Sequence, residues 1–214
     1  EKLIISMKDK FNVSTARFAN VAFSNGSLLD GFLHRFNKKQ PLSCPSDIKR
    51  FFVTPEQSGQ ICLLATFLGD SGSIFFPKLD FKKDQIYFKD IALKFLDNNG
   101  FSPFIADSEE EAKSFDIDSG SSEYPIFFFK SDTSGEKPYE EFYTEDEDYE
   151  LSDFSSLGYI KTHNVEISFT NVMNDFEEVF NSVSVKKSGI IKVIKNYLPD
   201  FNHIETGKSL DQKM

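Results

Sequence analysis

Tryptophan is absent from the 214 residues, and cysteine (2), histidine (3) and methionine (3) are sparse. The two cysteines, Cys44 and Cys62, have no Cys-x-x-Cys spacing and no companion histidines, which removes zinc ribbons and disulfide frameworks. His34, His163 and His203 are scattered without metal-ligand spacing, so no metal site is expected. Positive charge is also short: 24 Lys and Arg against 34 Asp and Glu give a formal charge of -10. Such a chain repels phosphate backbones and anionic bilayers, so the expected partners include no nucleic acid and no membrane. No apolar run approaches the ~20 residues of a membrane span, and the apolar centre of residues 1–10 is too short for a secretory signal. Together with two lone thiols, this gives an expected cytoplasmic location. Missing too are a Gly-x-Gly-x-x-Gly turn, a phosphate-binding P-loop and a nucleophile–base pair.

What is present is a phenylalanine-rich chain, 25 of them, with 39% hydrophobic residues, enough to fold and bury a core. Cys62, inside the apolar run 61–65, is expected to be a small core residue. Residues 1–10 read as a helix, with Leu3, Ile4 and Met7 on one face and no N-cap before them. A strand at 13–18 leads to the polar hinge Asn20-Val21-Ala22-Phe23-Ser24-Asn25-Gly26-Ser27. Ser27 can cap a helix at 28–38 whose buried stripe is Leu28, Leu29, Phe32, Leu33 and Phe36. Residues 40–49, with two prolines, read as an extended loop, and 50–53 as a short strand. Thr54-Pro55-Glu56-Gln57 is a capping box opening a helix that stops at Gly69.

Strands follow at 73–77, 101–106 and 124–130, a helix at 88–98, and a capped short helix after Ser108. Beyond 138 the pattern loosens into acidic loop, then helices near 171–182 and 184–198 and a tail at 203–214. The alternation predicts an α/β fold. The expected division is 1–138, 139–202 and the flexible tail 203–214.

Three stretches could meet a ligand. A strand ending in Asn, a Gly-containing turn and a helix start form a geometry that holds anions, because backbone N–H groups and the helix dipole point outward. An ordinary connection capped by Ser27 has the same spacing. Arg50 could reach a diphosphate or pair with a surface carboxylate. Glu136, in the turn after strand 124–130, could accept ligand hydroxyls or sit in a plain surface turn. The acidic run 140–150 lacks calcium-loop spacing and reads as a solvated face.

Arg17-Phe18-Ala19-Asn20-Val21, Asn25-Gly26-Ser27-Leu28, Lys49-Arg50-Phe51-Phe52-Val53-Thr54-Pro55-Glu56 and Gly135-Glu136-Lys137 followed by Glu140-Glu141 come in a telling order. Their order and spacing resemble the nucleotide-sugar 4,6-dehydratases of the extended short-chain dehydrogenase/reductases. Within that family they are most similar to the UDP-N-acetylglucosamine 4,6-dehydratases of bacterial surface-sugar pathways. The resemblance covers roughly residues 1–160. It implies the C-terminal part of an extended Rossmann-type fold: late sheet strands plus a substrate-binding subdomain. It also implies that Asn20 contacts the nucleotide sugar and Val21 lies against the nicotinamide of NAD or NADP. Asn25, Gly26, Ser27 and Leu28 would cradle diphosphate and nucleoside, Arg50 bind the diphosphate, and Glu136 hold the ribose or uridine.

Two departures qualify the resemblance. Thr133-Ser134 stands where the family usually carries Arg-Pro, so that contact would come from Lys130 or be lost. The family's Gly-rich cofactor loop and Tyr-x-x-x-Lys pair do not occur in this sequence, and residue 1 is expected to fall just after the catalytic helix begins. No catalytic residue is therefore expected here. The chain reads as a substrate-binding half, inactive by itself, with its own N-terminal half or a homo-oligomer as partner. A non-catalytic sugar-nucleotide-binding module and a related epimerase are the other readings.

Overall fold

The computed structural model describes residues 1–132, 140–163, 166–205 and 207. In chain order the elements begin α1 (Lys2–Ile5), β1 (Ser14–Ala16), β2 (Asn20–Val21), α2 (Leu28–Asn37), β3 (Leu42–Pro45), β4 (Lys49–Arg50) and β5 (Phe52–Val53). Then come α3 (Pro55–Leu68), β6 (Ser73–Pro77), β7 (Ile86–Tyr87), α4 (Phe88–Asn98), β8 (Ser102–Ala106), α5 (Glu109–Ser114) and β9 (Glu123–Phe129). The last are β10 (Tyr149–Glu150), β11 (Leu157–Lys161), α6 (Phe169–Phe180) and α7 (Lys187–Tyr197). No described helix is long and apolar enough to cross a membrane.

These elements form two compact units, each discontinuous in sequence. The first takes Glu1–Arg17, Gln60–Lys78 and Phe142–Glu205. Its sheet has the order β1-β6-β11-β10. β1 runs parallel to β6, while β11 lies antiparallel on the other side of β6. Flanked on both sides, β6 is buried at all five positions, Ser73 to Pro77. β11 approaches β6 closely at Gly158, where a Cβ would lie 2.6 Å from the Phe76 ring. Phe75, Leu157 and the α3 residues Ile61 and Ala65 form one buried cluster of this unit.

The rest of α3 corrects an expectation. Cys62 is exposed, as are Leu63, Leu64, Phe67 and Leu68, with Phe67 at 80%. Apolar side chains surround this helix, so the face that packs cannot be read from a stripe. The leading helix is also shorter than expected, ending at Ile5 with turns through Lys10.

The second unit takes Phe18–Gly59 and Leu79–Glu141. Its main sheet, β3-β9-β8, is parallel throughout. The expected loop at 40–49 thus contains a fully buried strand, β3, whose two prolines sit at and just before its ends. α2 and α4 supply Leu29, Phe32, Ala92 and Leu96 to its core, meeting Leu42, Tyr124 and Ile126 from the sheet. Leu33 falls off the buried stripe of α2 and is 39% exposed. Phenylalanine does the work of larger rings here. Phe36 meets Phe95 edge-on at 5.5 Å between ring centroids, and Phe101 meets Tyr124 likewise at 5.5 Å. The buried Tyr124 hydroxyl is satisfied, donating to the Gln40 carbonyl at 2.9 Å.

The acidic region past 138 is also more ordered than expected, since it contributes β10 and β11 to the first sheet. The Thr54–Gln57 capping box forms as written, while at α5 only the Ser108 side-chain cap does. Thr54 Oγ1 accepts from the Gln57 amide at 3.1 Å while Gln57 Oε1 accepts from the Thr54 amide at 2.8 Å. Ser108 Oγ accepts from the Glu111 amide at 3.1 Å.

Candidate functional site

Phe51 is the pivot of the candidate site. It is fully buried against Phe81, ring centroids 5.4 Å apart, and separates two short pairings. On one side β4 runs antiparallel to β7, with Arg50 opposite Ile86. On the other, β5 runs parallel to β2, with Asn20 opposite Phe52 and Val21 opposite Val53. The Asn20 amide donates to the Phe51 carbonyl at 3.2 Å. A buried aromatic and two anchored strand ends thus set the backbone from which Asn20 and Arg50 project.

Their side chains meet at Glu140. Asn20 Nδ2 donates to Glu140 Oε1 at 2.8 Å, and Arg50 Nε lies 3.7 Å from the same oxygen. The Phe51 backbone N–H donates to Glu140 Oε2 at 3.3 Å. Arg50 Nη1 also donates to the Lys49 carbonyl at 2.7 Å. One carboxylate therefore receives an amide side chain and a backbone N–H, with a guanidinium beside it, and the Arg50 and Glu140 side chains are 12% and 28% exposed. Neutral and cationic donors converging on one anion form an oxyanion seat.

The hinge turn lies a few residues further along the chain. Gly26 has φ +76°, and the space where its Cβ would point is open to 4 Å. Phe23, half-exposed, also has positive φ at 57°, a conformation that an aromatic residue adopts only under constraint. Ser27 caps α2 as expected, its Oγ accepting from the Asp30 amide at 3.1 Å. Asp30 reaches back to accept from the Gly26 amide at 3.1 Å. Among the described residues, the Leu28 and Leu29 amides of the first turn have no acceptor. Those are the N–H groups that a helix start offers an anion.

The structure thus brings Asn20 and Arg50 to one carboxylate and places Val21 beside Asn20 in β2, half-buried. Asn25, Gly26, Ser27 and Leu28 form the start of α2, with local hydrogen bonds. Glu136 lies outside the described residues. Glu140 was missed as a site residue, although the Glu140-Glu141 pair is part of the resemblance. It stands at the edge of the acidic run, and nothing local distinguishes it from solvated neighbours.

Two cavities lie elsewhere, both in the first unit. One of about 240 Å3 is lined by Arg17, Glu147, Lys161 and His163 among others, and one of about 430 Å3 by Leu3, Phe176, Ile194 and Tyr197 among others. Neither contains an expected site residue. Arg17 is consumed by the fold: it donates to Glu1 Oε2 at 2.6 Å, Glu147 Oε1 at 2.7 Å and the Phe142 carbonyl at 2.7 Å. Burial works against its charge, but the bonds to Glu147 and Glu1 outweigh it and raise the pKa. The buried Cys44 thiol is pushed up to about 12 by burial and is no nucleophile. The arrangement can therefore bind and orient an anion. Val21, expected against the nicotinamide, is half-buried in β2.

Comparison with known proteins bears on the fold and the family. The X-ray structure of Pen from Bacillus thuringiensis superposes with a TM-score of 0.54 at 20% identity, over 75% of this chain and 44% of that one. The likeness shows the fold: α/β, as the alternation of elements predicts, and Rossmann-type with parallel and mixed sheets, as the resemblance implies. The chain corresponds to less than half the length of that structure. Comparison with curated proteins gives no match. The family described as polysaccharide biosynthesis protein matches residues 1–162, which takes in both arms of the oxyanion seat, and the chain belongs to that family.

Proposed function

We propose that this chain binds a nucleoside-diphosphate sugar and is the substrate-binding part of a nucleotide-sugar 4,6-dehydratase. The substrate would be UDP-N-acetylglucosamine or a close relative. The reaction, by the family's pattern, removes hydride from C4 to NAD(P)+, loses water across C5–C6 and returns the hydride to C6. NAD or NADP and the proton-transfer groups would be supplied by residues outside this sequence, on a longer chain or a second one.

The observation that carries the reading is the meeting of Asn20 and Arg50 on one carboxylate oxygen. The resemblance assigns both side chains to the ligand, and they stand close enough to serve a single anionic group. The open Leu28 and Leu29 amides add a second set of donors within the same unit. The diphosphate would lie on these donors, and the sugar beyond Asn20.

Calorimetric titration tests this. UDP-N-acetylglucosamine should bind, and Arg50→Ala should weaken it at least tenfold, about 1.4 kcal/mol. GDP-N-acetylglucosamine and free UDP, titrated in parallel, separate recognition of the base from recognition of the diphosphate. Equal affinities for the protein and Arg50→Ala, or no binding of any nucleotide, would overturn the reading. The chain alone should release no 4-keto-6-deoxy product.

A further inference from the structure

Resting on the anion-binding reading above, the geometry points to Glu140 as an internal stand-in for the ligand's phosphate, displaced when the ligand binds. Both carboxylate oxygens are used. Oε1 takes the Asn20 Nδ2 bond at 2.8 Å with Arg50 Nε at 3.7 Å, and Oε2 takes the Phe51 N–H at 3.3 Å. An amide side chain, a backbone N–H and a guanidinium are the donors that phosphate oxygens use. A carboxylate and a phosphate cannot share them. With Arg50 nearly buried and Glu140 largely so, a second anion beside this carboxylate would meet repulsion that solvent only partly screens.

The consequence is selectivity by charge. A neutral sugar cannot displace Glu140, and a singly charged group gains nothing over the carboxylate already in place. A diphosphate, with at least two charges and more acceptor oxygens, can. Glu140 therefore acts as a specificity-determining residue that reserves the seat for multiply charged phosphate ligands.

Titration of the purified protein and Glu140→Gln with UDP-N-acetylglucosamine, and separately with inorganic pyrophosphate, tests the inference. Removing the charge should tighten both ligands by roughly tenfold, and the added Arg50→Ala substitution should abolish the gain. Unchanged or weaker binding to Glu140→Gln would overturn it, marking Glu140 as a holder of the site instead. Pyrophosphate separates this inference from the functional reading. Tighter pyrophosphate binding without any UDP-sugar binding would support the stand-in and sink the nucleotide-sugar reading. If neither ligand binds either protein, both fail. Should Glu140→Gln not fold, the wild-type amide resonances decide. The Phe51 backbone and Asn20 side-chain signals should shift on adding pyrophosphate, and static signals would overturn the displacement.

Discussion

Arg17 in the first unit and Arg50 in the second both lie in stretches that resemble sugar-nucleotide enzymes, and both face carboxylates, yet they do different work. Arg17 is closed in by short bonds to Glu1, Glu147 and the Phe142 carbonyl, which join the start of the chain to the acidic region past 138. Arg50 stands beside Glu140 at 3.7 Å, with an asparagine amide and a backbone N–H aimed at the same carboxylate. Arg17 is closed by short bonds to two carboxylates and a carbonyl of its own unit, while Arg50 stands 3.7 Å from the carboxylate that our proposal has a ligand replace. Both cavities touch Arg17, and neither touches Arg50.

The largest expected effect breaks the first half of that comparison. Arg17→Ala leaves Glu1 and Glu147 without their cation and should destabilise the protein by about 2–3 kcal/mol. Arg50→Ala should remove anion binding, which Arg17→Ala should leave in place. Titration of both variants with UDP-N-acetylglucosamine, beside their denaturant midpoints, checks this, and equal losses of binding would erase the distinction. The pH dependence follows the same pair. Burial pushes the Glu147 carboxyl up, but the Arg17 guanidinium and the Thr144 amide hold it below its ordinary value. A lowered folded-state pKa contributes stability that is present above the ordinary glutamate value of about 4.3 and is lost as pH falls through the lowered one. Arg17→Ala should flatten this acid limb.

A smaller effect sharpens the second half. Ser27→Ala removes the oxygen that accepts from Asp30 and should cost about 1 kcal/mol, fraying the start of α2. Faster hydrogen exchange at the Asp30 amide, with the midpoint of β9 amides unchanged, is the expected outcome. No change in exchange would mean that the α2 start is held by packing alone.

Features set by neighbours in the chain were the legible ones. The Thr54–Gln57 box, the Ser27 cap, the span of β6 and both ends of α4 follow from local spacing. Features set at long range were not. β3 is a strand because β9 pairs with it, which its prolines do not announce. β11 exists because β6 offers an edge to Leu157 through Lys161, and its glycine is there to fit under Phe76. Cys62 looked internal because its run is apolar, yet only Ile61 and Ala65 of α3 are buried. The candidate site divides in the same way. Asn20, Arg50 and the α2 start carried a family pattern, whereas Glu140 gains its role from partners 89 to 120 residues away in sequence.

A crystal structure with UDP-N-acetylglucosamine bound tests the central claim most directly. The diphosphate should lie on Arg50 Nε and the Phe51 N–H, with the Glu140 carboxylate moved away. A diphosphate bound anywhere in the first unit, with Glu140 still on Asn20 and Phe51, would contradict it.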